Sequence, residues 1–344
     1  MILSLAPSLY SVSGESLVGE MRMIEAVRAA ISEEMERDER VLVMGEDVGR
    51  KGGVFGATDG LYARFGEARV LDTPLAESAI VGIAVGAALN GLIPIAEIQF
   101  ADFIHPAFDQ IVSEAARTRY RSNGDWSVPI VIRTPFGGGV HGGLYHSQSI
   151  EAFYAHVPGL KVVVPSMPAD AHGLLKSAIR DPDPVLFLEH KKVYRLVAED
   201  VPEGDHTVPI GPAVVRREGS KLSCFAWGLM THYSLQAAET LEAEGVSVEV
   251  VDLRTLAPLD RDTILASVRK TGKAMVVHED NLTGGFGAEV AAVIAQHAFD
   301  SLDGPLVRVA APDIPAMPFN TPQEDFFMPS PAKIAEAMRT LAAY

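Results

Sequence analysis

"GLKVVVPS" at residues 159–166 and "DPVLFLEH" at 183–190 decide the fold. Each is a short unbroken run of β-branched and large apolar residues, with no polar residue at every second position. A strand with one wet face alternates, whereas a strand covered on both faces does not. Strands of the second kind belong to a parallel sheet between two layers of helices. The flanking sequence agrees. Ile24, Val27, Ile31 and Met35 fall on one face of a helix, and "VLVMGED" (41–47) follows as a strand running into a Gly-acidic turn. "ARVLDTP" (68–74), "LIPIAEIQF" (92–100) and "VPIVIRTP" (128–135) read as further strands, and "PAFDQIVSEAARTRYR" (106–121) as a helix.

The texture then changes. "VAEDVPEGDHTVPIGP" (197–212) is acidic and rich in Pro and Gly, as an interdomain connection is. A second alternation follows: "KLSCFAWG" (221–228), a helix through "SLQAAETLEAEG" (234–245), "VSVEVVDL" (246–253), a helix from Asp260, "KAMVVHED" (273–280), a helix after Gly287 and "PLVRVAA" (305–311). The expected architecture is two three-layer α/β domains, residues 20–200 and 201–344, behind an irregular N-terminal arm at 1–19. A chain of 344 residues is long enough for two such cores.

Composition narrows the function classes. Hydrophobic residues make up 48% and charged residues 22%, an ordinary globular balance. The net charge of −16 repels nucleic acid and anionic membrane, so neither is expected as a partner. Cys224 is the only cysteine, which rules out an intrachain disulfide and points to the reducing cytoplasm. No uncharged apolar run reaches the ~18 residues of a membrane span. The first residues, "MILSLAPSLYSVSGESL", are briefly apolar but have no basic residue ahead of the apolar part, unlike a signal peptide.

Two stretches carry chemistry. In "DTPLAESAIVGIAVGAAL" (72–89), Asp72 or Thr73 can cap a helix and Pro74 suits its first turn. Glu77 then stands near a helix N-terminus, where the dipole favours an anion by at most ~1 kcal/mol. Gly82, Ala84, Gly86, Ala87 and Ala88 remove bulk, which suits close packing against a helix of another subunit. An acid at such a crowded, partly dry contact has a raised proton affinity and can exchange protons with a bound base. Both readings of Glu77 stand. The second stretch, 133–163, places Gly137, Gly138, Gly139, Gly142 and Gly143 with His141, His146, Ser147, Gln148 and Ser149 in a loop between two strands. His146 can exchange protons near neutral pH or simply hydrogen-bond its neighbours. No cysteine or third ligand accompanies the two histidines at a metal-binding spacing.

"VMGEDVG", "PLAESAIVG", "AEIQFADFIHPAFDQIVSEAARTRYRS", "GGLYHSQSIEAFYAHVPGLKVVVPS", "VDLRTLAPLD" and "HEDNLTGGFGAEV" together resemble the β subunit of thiamine-diphosphate-dependent 2-oxo acid dehydrogenases. The resemblance runs in order from about residue 20 to the C-terminus. "QFADF", "LYHSQS" and "EAFYAH" resemble the branched-chain enzyme more than the pyruvate enzyme. It implies a pyrimidine-binding domain followed by a transketolase C-terminal-like domain. It also implies that Glu77 contacts the ring nitrogen of the cofactor's aminopyrimidine and so promotes loss of the thiazolium proton. Leu75 and Ala76 would pass near the pyrimidine, Gln99 would approach the cofactor, Phe103 would lie against its ring, and Glu46 would support Glu77. His146 would handle the proton when the acyl group passes to a lipoyl disulfide. Phe103, Ile104, His105 and Pro106, with His146, would line the substrate pocket. A potassium site would involve Ile130, Val131, Ala178, Asp181 and Asp183.

The chain departs from the family at Phe103, where Tyr is frequent, and at His105, where Phe is usual, making the pocket wall more polar. The Gly-Asp-Gly motif that binds Mg²⁺ and diphosphate in thiamine-dependent enzymes is absent; "NGD" (123–125) and "EGD" (203–205) fail at the third position. The resemblance therefore implies an α subunit that supplies the Mg²⁺ ligands in an α2β2 assembly, and an acyltransferase core that receives the acyl group. A pyruvate or acetoin dehydrogenase β subunit is the alternative within enzymes, and a non-catalytic assembly subunit the alternative outside them.

Overall fold

The computed structural model describes residues 17–202 and 204–344, so the expected N-terminal arm lies almost wholly outside the described residues. The strands are β1 (Leu17–Arg22), β2 (Val41–Gly45), β3 (Val70–Asp72), β4 (Ile93–Glu97), β5 (Val131–Phe136), β6 (Lys161–Val163) and β7 (Val185–His190). They continue with β8 (Ala198–Pro202), β9 (Val214–Arg217), β10 (Leu222–Ala226), β11 (Val248–Asp252), β12 (Thr255–Ala257), β13 (Ala274–Asn281) and β14 (Val307–Ala311).

Two sheets with helices on their faces organise the chain, as the unbroken apolar runs require. The first has the order β12-β6-β7-β5-β4-β2-β3 and is parallel apart from β12. Every residue of β2, β4, β5 and β7 is buried, the signature of a sheet covered on both faces. The second sheet, β14-β13-β10-β11-β9, is parallel apart from β9. The fold is thus two α/β domains.

Helices form where the apolar spacing asks for them. Ile24, Val27, Ile31 and Met35 bury one stripe of the helix Met23–Arg37, which packs against the helix Pro168–Arg180. Asp260 caps the helix Arg261–Thr271 by accepting from Thr263 N–H at 3.0 Å. Among the described residues no helix is long and apolar enough to cross a membrane.

Three local readings change. The segment 106–121 is a 3₁₀ turn at His105–Ala107, a π-helix at Gln110–Ala115 and an α-turn at Thr118–Arg121, not one helix. Thr118 Oγ1 donates to the Glu114 carbonyl at 2.6 Å, a side-chain competitor for a backbone acceptor. Asp72 caps no helix; it accepts from Gly49 N–H at 2.6 Å, and the helix Glu77–Leu89 starts behind Ala76 with no side-chain cap. The acidic connection at 197–212 contains β8, paired antiparallel with β1.

Candidate active site

Strands β5, β4, β2 and β3 are neighbours in the first sheet and all run the same way. Their carboxyl ends therefore open on one side, where the crevice of an α/β sheet binds ligands. Glu46 follows β2, Glu77 follows β3, Gln99 and Phe103 follow β4, and His146 lies on the loop after β5. Residues scattered over a hundred positions are gathered along one edge.

The acidic part comes first. Gln99 Nε2 donates to Asp47 Oδ2 at 3.3 Å and reaches the Glu46 carbonyl at 3.5 Å. Asp47 also accepts from Lys51 Nζ at 2.6 Å, which holds its carboxyl below the usual range. Burial, then the charges of Asp47 and Glu77, raise the Glu46 carboxyl above its ordinary value. Glu46 and Glu77 thus feel each other without a direct hydrogen bond between them.

Ser78 ties the helix Glu77–Leu89 to the next segment by donating its hydroxyl to the Pro106 carbonyl. Ile80, Val81, Ala84, Val85 and Ala88 face the core. Gly82 packs inside the chain, since a Cβ there would lie 3.2 Å from Gln110 Oε1 of the π-helix. The opposite face is bare: Leu75 is 71% and Ile83 59% exposed, and a Cβ on Gly86 would touch nothing. Leu75, Ile83 and Gly86 are thus left uncovered by the rest of the described residues.

His146 is half-buried, with its ring edge-on to Phe100 at 4.5 Å and to Phe103 at 5.4 Å between centroids. Phe100 and Phe103 meet each other at 5.9 Å. This aromatic corner leaves the imidazole ring few orientations. Ile104 turns into the core and is fully buried, while His105 and Pro106 face outward, His105 edge-on to Phe153 at 5.6 Å.

The loop from Gly137 to Ser149 is closed by Gly137 N–H donating to the Gln148 carbonyl at 3.0 Å. At Gly142 a Cβ would lie 2.7 Å from the His146 carbonyl oxygen, so only glycine allows this approach. His141 does not join His146; its Nδ1 pairs with Glu324 Oε2 at 2.6 Å. No cluster of three acidic, histidine or cysteine side chains that could hold a metal occurs among the described residues.

Sequence reasoning missed the groups behind this loop. Asp102, Lys191, Glu279 and Glu324 are buried or half-buried and touch or surround it. "HED" at 278–280 was part of the resemblance, yet nothing local assigns Glu279 a task.

The five residues expected around potassium meet near the starts of β5 and β7. Ile130 accepts from Val185 N–H at 3.0 Å and Ala178 from Asp181 N–H at 3.3 Å. Both Asp181 oxygens accept from Lys161 Nζ at 2.6 Å, and Asp183 pairs with Arg119. Both carboxylates are thus paired with cations of this chain, while the Ile130 and Ala178 carbonyls each accept a backbone N–H.

Residues 19–197 match the family described as transketolase, pyrimidine binding domain, and residues 211–334 the one described as transketolase, C-terminal domain. The chain is 59% identical to the 2-oxoisovalerate dehydrogenase subunit beta of Bacillus subtilis strain 168, over 94% of this chain and 99% of that one. It is 51% identical to the pyruvate dehydrogenase E1 component subunit beta of the same organism, over 95% and 100%. Among solved structures it resembles a split-gene transketolase in an inactive β4 tetramer, with a TM-score of 0.74, 25% identity and coverage of 94% and 99%.

Proposed function

The chain belongs to the β subunits of the thiamine-diphosphate-dependent 2-oxo acid dehydrogenases, and within them we propose that it serves the oxidative decarboxylation of branched-chain 2-oxo acids. One observation carries the reading: four adjacent parallel strands bring Glu46, Glu77, Gln99 with Phe103, and the His146 loop to one edge. The 59% identity to a 2-oxoisovalerate dehydrogenase subunit supports the choice of substrate.

The residues present fit one half of thiamine diphosphate. A partly exposed carboxylate, Glu77, beside the apolar Leu75 and Ala76 and the flat face of Phe103 suits an aminopyrimidine ring. The same edge carries Glu46 and Asp47, which repel a diphosphate, and offers no metal cluster among the described residues. We infer that a separate α subunit brings the Mg²⁺ and diphosphate ligands, with two copies of each chain forming the working enzyme. The bare face of Leu75, Ile83 and Gly86 is the surface assigned to that contact. The chain's single, buried cysteine suits a reducing cytoplasm.

When bound, thiamine diphosphate supplies a carbon that adds to the 2-oxo group and takes up the electrons left as carbon dioxide departs. Glu77 holds the proton shared with the pyrimidine nitrogen. Glu46, whose proton affinity is raised by burial and then by the charges of Asp47 and Glu77, supports Glu77 as a neighbouring carboxyl. Phe103 shields the ring from water, and His105 and Pro106 border the substrate. His146 gives or takes the proton as the acyl group leaves for a lipoyl sulfur on the acyltransferase core.

The test is reconstitution with the α subunit from the same source and a panel of 2-oxo acids. Expected is a kcat/KM for 2-oxoisovalerate about tenfold or more above that for pyruvate, a gap of the size that pocket contacts with extra methyl groups produce. A preference for pyruvate overturns the branched-chain assignment and leaves the family untouched.

A further inference from the structure

The loop that carries His146 is shaped from the other domain. Glu279, on β13, is buried, yet both of its carboxylate oxygens serve the first domain. Oε1 accepts from Gly138 N–H at 2.5 Å and from the Ser149 hydroxyl at 3.3 Å. Oε2 pairs with Nε2 of His190, the last residue of β7, at 2.8 Å. Gly138 and Ser149 stand at the two ends of the loop, so one side chain gathers its start and its finish.

The fit around this anchor is close. Gly137 has φ +84°, and a Cβ there would lie 2.1 Å from His190 Nε2, on the ring that Glu279 holds. Two residues beyond His146, Gln148 N–H donates to Asp102 Oδ1 at 3.2 Å. Lys191 Nζ is buried with no hydrogen-bond partner among the described residues and lies in the field of both Asp102 and Glu279. Its positive charge offsets part of theirs where water cannot. Burial pulls the Lys191 ammonium down to about 8, against the pull of those two carboxylates. Glu324, also from the C-terminal domain, fixes the middle by accepting from Gly139 N–H at 2.9 Å and His141 N–H at 3.2 Å.

We propose that Glu279 is a positioning residue for His146: by holding Gly138 and Ser149 from the C-terminal domain, it sets where the imidazole stands against Phe100 and Phe103. The inference rests on the proton-handling role proposed above for His146. It gives the C-terminal domain a part in the chemistry, because the depth and angle of the imidazole follow from a carboxylate 141 residues from Gly138 in the chain.

The test uses the chain assembled with its α subunit and compares the wild type, Glu279→Ala, Glu279→Gln and His146→Ala. In Glu279→Ala, backbone hydrogen exchange across residues 137–149 should accelerate about tenfold or more, while β4 and β5 keep their protection. Acyl transfer to a lipoyl domain should lose about tenfold or more in kcat, with KM for the 2-oxo acid within about twofold. Glu279→Gln keeps an acceptor for Gly138 and should recover most of both. Unchanged exchange in Glu279→Ala overturns the proposal. So does faster exchange with undiminished acyl transfer when His146→Ala abolishes it. If His146→Ala itself leaves transfer intact, the role given to His146 fails, and the exchange data alone decide whether Glu279 holds the loop. Should Glu279→Ala not assemble, Glu279→Asp, whose carboxylate is withdrawn by one methylene, takes its place with the same outcomes.

Discussion

Trp227 of the C-terminal domain donates its indole N–H to Glu151 Oε1 at 3.0 Å, across the junction between the domains. Glu151 opens the helix Glu151–Ala155, directly after the His146 loop, and is fully buried. Its Oε2 has no partner among the described residues. A face of the Trp227 ring stacks on His278, with ring centroids 5.5 Å apart and planes within 4°. Burial, with help from the charges of Asp280 and Glu279, pushes the Glu151 carboxyl up to about 8, so the acid is largely protonated in the folded protein at neutral pH.

Stability should follow that proton. Glu151 titrates near its ordinary value when unfolded and near 8 when folded, so the folded state holds an extra proton between those limits. Its contribution is fully present at acid pH and is lost as pH climbs towards 8, at up to about 1.4 kcal/mol per pH unit. Glu151→Gln still accepts from Trp227 and has nothing to titrate. Thermal unfolding from pH 5 to 8 should show the wild type falling more steeply than the variant. Parallel curves would mean that Glu151 is ionised in the fold.

Glu77→Gln keeps size and polarity, so folding and assembly should be normal. Overall turnover of the reconstituted enzyme should drop on the order of 10²-fold or more, as when a positioned acid–base group is lost. Exchange of the cofactor's thiazolium proton should slow in parallel. An unchanged exchange rate would return Glu77 to a role in stabilising the helix N-terminus.

Gly86→Leu tests the bare helix face. A Cβ at Gly86 meets nothing within the chain, so the variant chain alone should fold as well as the wild type. Co-expressed with the α subunit, it should no longer elute as a heterotetramer on size-exclusion chromatography. Normal assembly would move the α contact elsewhere.

His146→Ala should separate the two halves of the reaction. Decarboxylation read with an artificial electron acceptor should survive in part, whereas transfer to a lipoyl domain should fall much further. Equal losses, with KM for the 2-oxo acid raised, would make His146 a binder of the substrate carboxylate instead.

The sheet strands were legible in the sequence because their signals are local, and for the same reason Glu77 and His146 stood out as candidates. An unbroken apolar run such as "VLFLEH", an acid at the mouth of a small-residue helix and a histidine among glycines each stand out within a few residues. The segment 106–121 was misread because its apolar spacing fits a helix, while the Thr118 hydroxyl competes for the Glu114 carbonyl and the backbone there runs as π and 3₁₀ turns. Asp72 sits where a cap is usual, yet Gly49 takes its carboxylate from 23 residues away. Glu279 and Glu324 were invisible for the same reason on a larger scale: they act on Gly138 and Gly139 over separations of 141 and 185 residues. No window of sequence holds both ends of such a contact.

β12 has a consequence for how the chain is made. This strand, Thr255–Ala257, comes from the C-terminal half but closes the edge of the first sheet beside β6. A polypeptide leaving the ribosome has exported β2 to β7 long before that edge can be covered. Until residue 257 emerges, β6 offers an open row of backbone donors and acceptors to any other nascent strand. Glu279 and Glu324 follow later still, so the loop around His146 is among the last parts of the first domain to take shape.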